Sequence, residues 1–236
     1  MSDEPAPHYT ALEHHDRIEF QVDRLILFTD AVFAIAITLL AIEIKAPELG
    51  PQATEQAAWY GLLHLIPKFI GFLVGFFVIA TYWLAHHRLF RFVRHYDERL
   101  LWLNIFFLLG IVLMPFTSGY YSEYSTLNVP YIAYSASVIL AGLLQLRLQT
   151  ALRDPRRGYV RASDVSHPDL DLVRPLIPVS VFAFAIVLML LFPHSMVSRS
   201  APALIFPLYK LYGRRQRRLR QQWDLQQAAL LKPATE

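Results

Sequence analysis

The stretch RLILFTDAVFAIAITLL, residues 24–40, decides the fold class of this chain. It is apolar apart from Arg24, Asp30 and its two threonines. With the apolar residues that follow, it is long enough to cross a hydrocarbon core of about 30 Å at about 1.5 Å per residue. A segment in lipid must be helical, because every backbone N–H and C=O group needs an internal partner there. The stretch therefore predicts a transmembrane helix.

The composition extends this prediction to the whole chain. Of the 236 residues, 55% are apolar and only 17% are charged, whereas soluble chains average roughly 45–50% and about 25%. The mean hydropathy is +0.33. We predict an all-α, polytopic membrane protein with six transmembrane helices. They are Leu25–Ile44, Leu62–Ala85, Leu100–Tyr121, Val129–Leu146, Leu172–Phe192 and a short, proline-interrupted sixth, Met196–Tyr212.

The basic residues indicate the orientation of these helices. Arginines cluster in the linker between spans two and three, in the linker between spans four and five, and after span six. Since cytoplasmic loops are the Lys/Arg-rich ones, both termini are predicted to be cytosolic. We predict a cytosolic segment over 1–23, a membrane domain over 24–213 and a basic cytosolic tail over 214–236. This interspersed pattern argues against nucleic acid as a partner.

The same sequence gives little support for catalysis. It contains no cysteine, which excludes disulfides and cysteine metal sites. Asp30 is the only acid deep in a predicted span, so no pair of carboxylates is available for acid–base chemistry. We expect no enzyme activity, no cofactor and no bound metal.

The first span has two different faces at 100° per residue. Asp30 lies away from the apolar stripe, and an intramembrane carboxylate marks either a function or a structural network. If the stripe lined an axis in an oligomer, its large side chains would form stacked apolar rings; alternatively, it faces lipid or a neighbouring helix. The stripe comprises Arg24, Phe28, Ala31, Ile35, Thr38, Leu39 and Ile42.

The order Arg-x-x-x-Phe-Thr-Asp over residues 24–30 resembles the signature of the endosomal/lysosomal potassium-channel family and its bacterial homologues. The resemblance continues with YWLAHH at 82–87, LWLN at 101–104 and MPF at 114–116. The residue before the family's aspartate is usually serine, and Thr29 keeps the hydroxyl here. Together these motifs cover about the first half of the chain.

The resemblance implies a potassium-selective cation channel made of four identical six-helix subunits. The first helices would line a central pore for K+ in the inner (plasma) membrane, with the lipid bilayer and other copies of the chain as partners. The family lacks a Thr-Val-Gly-Tyr-Gly filter loop, which this sequence also lacks. Selectivity would instead come from Ile35, Leu39 and Ile42, with hydroxyl groups from Thr38.

The resemblance also implies a structural polar network behind the pore helix. Its expected members are Arg24, Phe28, Thr29, Asp30, Trp83, His86 and Asn104. The alternative from another class is a secondary transporter that couples protons or ions through Asp30. Inverted repeats or broken helices near the midplane would favour a transporter, and the sequence shows neither clearly.

Overall fold

A computed structural model describes residues 11–51, 53–193 and 195–231, and over these ranges its regular structure consists of helices, with no β-strand. Residues 1–10 of the predicted cytosolic segment and residues 232–236 of the predicted tail lie outside the described residues. The helices are α1 (Ala11–Ile42), α2 (Glu55–His64), α3 (Ile66–Phe90), α4 (Glu98–Glu123), α5 (Asn128–Leu152), α6 (Val173–Leu191), α7 (Met196–Ser200) and α8 (Ile205–Leu231). Short 3-10 turns at Pro168–Leu170 and Ala201–Leu204 precede α6 and α8.

Five stretches of the described chain are long and apolar enough to cross a membrane. They are Phe20–Ile42, Glu55–Phe90, Glu98–Glu123, Asn128–Leu152 and Pro168–Leu191. The predicted all-helical membrane fold is thus confirmed, and the first five predicted spans each fall on one of these stretches. The helices extend beyond most predicted ends, because polar residues continue a helix into the aqueous phase once the apolar run has ended.

The sixth predicted span differs most from its prediction. Its residues are divided among α7, the 3-10 turn Ala201–Leu204 and the beginning of α8. Pro202 lacks a backbone N–H and starts the 3-10 turn, whereas Pro207 lies in the first turn of α8, where proline is tolerated. No helix boundary occurs at residues 213–214, because α8 runs through them without a break.

This broken segment nevertheless traverses the bundle. At its start, Arg199 donates to the backbone carbonyls of Ser125 and Thr126, in the loop between α4 and α5. Beyond its end, further along α8, Arg220 pairs with Asp169, in the turn that precedes α6. These two loops lie at opposite ends of α5 and α6, so the chain makes a sixth crossing with an interrupted helix.

The helix ends and close contacts follow from local chemistry. Asp97 begins α4 by accepting a hydrogen bond from the Leu100 amide at 2.8 Å, a typical N-cap. Pro115 does not end α4, which continues to Glu123. A Cβ atom at Gly110 would lie 3.1 Å from the Ala141 Cα atom. The glycine therefore allows α4 and α5 to pack closely, as small residues do between membrane helices.

The core lies where α4 packs against α1, α3 and α5, and α5 packs against α6. Its fully buried side chains include Phe33, Ile79, Phe107, Ile111 and Phe182. The principal neighbours of α1 are α3 and α4. One side of α1 therefore packs against the bundle, and its other side is left uncovered. That asymmetry positions the candidate site.

Candidate functional site

The two faces of α1 are sharply different in their surroundings. Val22, Leu25, Phe33, Ala36 and Leu40 are buried against the bundle. They recur at the spacing of three and four residues that defines one face of a helix. The opposite face carries large apolar side chains that nothing in the isolated chain covers. The tertiary structure therefore assigns an inward and an outward face to a helix that is apolar on nearly every side.

A buried polar network fixes the inward face. We use the name polar network for Thr29, Asp30, Trp83, His86 and Asn104. The Asn104 amide nitrogen donates to the Thr29 hydroxyl at 2.9 Å, and His86 Nε2 lies 2.9 Å from Asn104 Oδ1. For Oδ1 to accept, the imidazole proton must be on Nε2. The amide side chain thus connects α1 to α3 through α4.

The His86 ring is held by aromatic neighbours as well as by this hydrogen bond. It stacks on Phe90 with the ring centroids 4.0 Å apart, and it lies nearly parallel to Phe107 with centroids 5.4 Å apart. Thr29 and Asn104 are completely buried, and His86 is buried as well. A buried polar group without a partner costs about 1–3 kcal/mol, so the three side chains depend on one another.

Asp30 joins the network by a separate hydrogen bond. The Trp83 indole N–H donates to Asp30 Oδ1 at 2.8 Å. Asp30 is half-buried. Its side chain is therefore stabilised partly by the Trp83 hydrogen bond and partly by contact with its surroundings. Arg24 and Phe28, which were predicted to join the network, lie on the exposed face of α1 instead.

The predicted selectivity residues all lie on the outward face. Ile35 is 59% exposed, Leu39 38% and Ile42 71% in the isolated chain. Thr38 is also exposed, and its hydroxyl donates to the Ile35 carbonyl at 2.8 Å. Since the hydrogen points back to the backbone, the lone pairs of this oxygen remain available on the outward face. Such an oxygen is a suitable ligand for a hard cation.

The linear sequence gave no signal for a second polar cluster, which lies just beyond the C-terminal end of α3. Asp169, whose side chain is 2% exposed, pairs with Arg91 at 3.1 Å and with Arg220. His167 positions this aspartate by accepting a hydrogen bond from its backbone amide at 3.1 Å. Asp169 lies in a polar linker, and its partners come from distant parts of the chain. Only the folded chain brings the three together.

Comparison with known proteins connects this arrangement with a family. Residues 24–115 match the family model described as the endosomal/lysosomal potassium channel TMEM175. This chain is a relative of the TMEM175 family. The predicted resemblance to this family is confirmed by the match, whose segment includes residues 24–30, 82–87 and 101–104 and reaches residue 115, within the stretch 114–116. The family is described as a potassium channel.

Named TMEM175 relatives come from bacteria and from animals. A potassium channel of Chryseobacterium sp. is 28% identical over 129 residues, 55% of this chain and 64% of that one. A potassium channel of Chamaesiphon minutus is 36% identical over 104 residues, 44% of this chain and 51% of that one. The human endosomal/lysosomal proton channel TMEM175 is 25% identical over 122 residues, 52% of this chain and 24% of that one. This chain thus matches between 24% and 64% of the lengths of these relatives.

A solved structure extends the likeness beyond the matched segment. The lysosomal potassium-selective channel TMEM175 homolog from Chamaesiphon minutus superposes with a TM-score of 0.65 and 25% identity. The superposition covers 83% of this chain and 98% of that one. The TMEM175 fold therefore includes the C-terminal half of this chain, where the sequence motifs give no match.

Proposed function

We propose that this protein is a potassium-selective channel, in which α1 helices from four identical subunits surround a central pore. The orientation of α1 is the observation that carries the proposal. The polar network ties its inward face to α3 and α4, so the exposed Ile35, Leu39 and Ile42 side chains point out of the protomer. The names of the bacterial relatives, each a potassium channel, support the same function.

The physical mechanism follows from this outward face. Copies of Ile35 around an axis form a narrow apolar ring, which removes water from a passing ion without replacing it. Potassium loses its hydration shell at lower cost than sodium, so the ring favours potassium, and it can also close the pore by dewetting. One helical turn further along, the free lone pairs of the Thr38 hydroxyl bind the ion and replace part of the hydration that it loses in the ring.

The location of the pore in a membrane completes the proposal. By analogy with its bacterial relatives, we place the chain in the inner (plasma) membrane, and the arginine-rich linkers predict that both termini lie in the cytosol. K+ is the permeant ion and no cofactor takes part. The bilayer and three further copies of the chain are its partners.

A second candidate is proton permeation, because the human relative is named a proton channel. It differs from the transporter alternative, in which Asp30 binds and releases the coupling proton. The Asp30 carboxylate is oriented by Trp83 on the inward side of α1. That position suits a structural acceptor better than a group exposed alternately to the two sides of a membrane.

The deciding experiment is ion flux in liposomes that contain the purified protein. We expect faster flux with an imposed potassium gradient than with an equal sodium gradient. A proton gradient without potassium gives the comparison for proton permeation. Strict dependence of potassium uptake on the proton gradient would support the transporter instead.

Ile35→Asn tests the apolar ring in the same assay. We expect a severalfold loss of discrimination between potassium and sodium with conduction retained, because an amide ring solvates both ions. Leu109→Asn is the matched control, since Leu109 is 54% exposed on α4, away from the proposed axis. Unchanged selectivity in Ile35→Asn would remove the ring from the mechanism.

A further inference from the structure

A groove lies on the side of α3 that faces away from the polar network. The proposed pore does not explain the composition of this groove. The groove lies between α3, the first turn of α6 and α8, with a volume of about 450 Å³. At one end its walls are Phe77, Ile205 and Phe206. At the other end they carry four arginines, and we call the whole site the arginine groove. These arginines are Arg88, Arg174, Arg217 and Arg220.

The charge in the arginine groove is unbalanced. Its lining, all within the described residues, includes no aspartate or glutamate. Behind the lining, Asp169 pairs with Arg220 and with Arg91, and Asp171 accepts a hydrogen bond from Tyr212 at 3.4 Å. The four groove arginines therefore outnumber the two carboxylates beside them. Such a cluster is complementary to a phosphate group, for which arginine provides planar, bidentate donors.

Two of these arginines also have unused donors. The Nε atoms of Arg174 and Arg220 are buried and have no hydrogen-bond partner in the part of the chain that the structure describes. A buried donor that stays unpaired costs free energy. An anion that enters the groove supplies acceptors to these two donors.

The length and gradient of the groove match one leaflet of a bilayer. From Phe77 to Arg88, α3 advances roughly 16 Å, about half of a hydrocarbon core of ~30 Å. Phe77 and Phe206 are 51% and 52% exposed, so the apolar end opens toward the lipid tails. The arginines then lie at the level of the headgroups on the side with basic linkers, where anionic lipids attract them.

We propose that the arginine groove binds an anionic phospholipid, with its phosphate among the arginines and an acyl chain along Phe77 and Ile205. This inference does not rest on the proposed channel function, because it concerns binding alone. A soluble phosphate compound would satisfy the arginines but would leave the apolar half of the groove unoccupied. The shared chemistry is a phosphate group, and the test separates the two sources.

The test is native mass spectrometry of the full chain in neutral detergent, titrated with phosphatidylglycerol or with phosphatidylcholine of the same acyl chains. We expect clear preference for phosphatidylglycerol. Arg88→Gln/Arg217→Gln should weaken its binding roughly thirtyfold, the factor for two arginines at about 1 kcal/mol each. The control, Arg214→Gln/Arg218→Gln, removes the same charge from exposed positions of α8 outside the groove and should change binding less than threefold.

Gly213→Leu tests the cavity without altering any charge. Gly213 lines the groove, and a Cβ atom added there would meet no atom within 4 Å. The leucine side chain is therefore accommodated by the fold while it occupies groove volume, and we expect loss of phosphatidylglycerol binding. Equal binding of both lipids, or equal losses in the two double variants, would overturn the proposal. Full displacement by excess glycerol phosphate would identify a soluble phosphate as the occupant and overturn the lipid assignment.

Discussion

The polar network and the arginine groove lie on two sides of α3. They stabilise their polar groups in different ways. Trp83 and His86 of α3 bind α1 and α4 through ring N–H donors, with Asp30 as the one acidic member. Two residues after His86, Arg88 enters a groove whose other charged lining residues are also arginines. Deep burial makes an unpaired charge expensive, whereas a site near the headgroups retains water and lipid phosphates as partners.

This difference indicates what each site does. The hydrogen bonds among Thr29, Asn104 and His86 satisfy one another within the chain, so this part of the network has a structural role and orients α1. In the arginine groove the described residues leave buried donors unpaired, which suits a ligand. Because α3 carries both sites, it connects the arginine groove with the network that orients α1.

The largest expected effect comes from Asn104→Leu. The substitution keeps the volume nearly constant but leaves the buried Thr29 hydroxyl and His86 imidazole without partners. At about 1–3 kcal/mol for each unpaired group, we expect a loss of about 3 kcal/mol, or a fall in Tm of roughly 10 °C. Thermal unfolding in detergent measures it. Phe106→Leu, at a half-exposed position of the same helix, should shift Tm by far less; a similar shift in both variants would contradict a special role for the amide.

A smaller effect is expected from Asp169→Asn, at the edge of the arginine groove. The change removes the carboxylate from Arg91 and Arg220 while preserving the shape of the side chain. Since Arg91 is 57% exposed and Arg220 36%, solvent screens these pairs and we expect a loss of about 1–2 kcal/mol.

Salt distinguishes this mechanism from simple loss of packing. Added salt screens the repulsion among the arginines, so the difference in Tm between Asp169→Asn and the unmodified chain should shrink as ionic strength rises. Asp164→Asn, in the same linker and with its carboxylate hydrogen-bonded at the surface to Ser163, is the control. A salt-independent loss in Asp169→Asn would show that charge is not its cause.

The smallest effect is expected from Asp30→Asn. The asparagine carbonyl can still accept the Trp83 indole hydrogen bond, so stability should change by less than about 1 kcal/mol. Potassium flux in liposomes should continue, because the outward face of α1 is unaltered. Abolished flux in a variant with unchanged Tm would point to proton coupling through this carboxylate and would favour the transporter.

Several features of the site were predictable from particular residues. The apolar run that begins at Leu25 predicts a membrane helix, and the motif residues Thr29, Asp30, Trp83, His86 and Asn104 predicted which helices meet behind it. Arg24 and Phe28 belong to the same motif, but the rotation of α1 places them on the exposed face. Periodicity gives the residues that share a face and leaves open which way that face points.

The C-terminal half was less predictable, because its contacts join residues far apart in the chain. Pro202 and Pro207 indicated a weak sixth span, but the pairing of Arg199 with the loop after α4 is what shows that the segment traverses the bundle. The arginines of the groove were interpreted only as markers of topology. Nothing in their spacing places Arg88, Arg174 and Arg220 around one cavity.

The sequence by itself determined that this chain is a bundle of membrane helices, since about twenty apolar residues in lipid can satisfy their backbone only as a helix. It also determined which helix carries the unusual chemistry. Only the tertiary structure decided which side of α1 is covered and where the arginines converge. Both depend on packing between distant segments, and such packing is set by the fit of whole helix surfaces rather than by any local pattern.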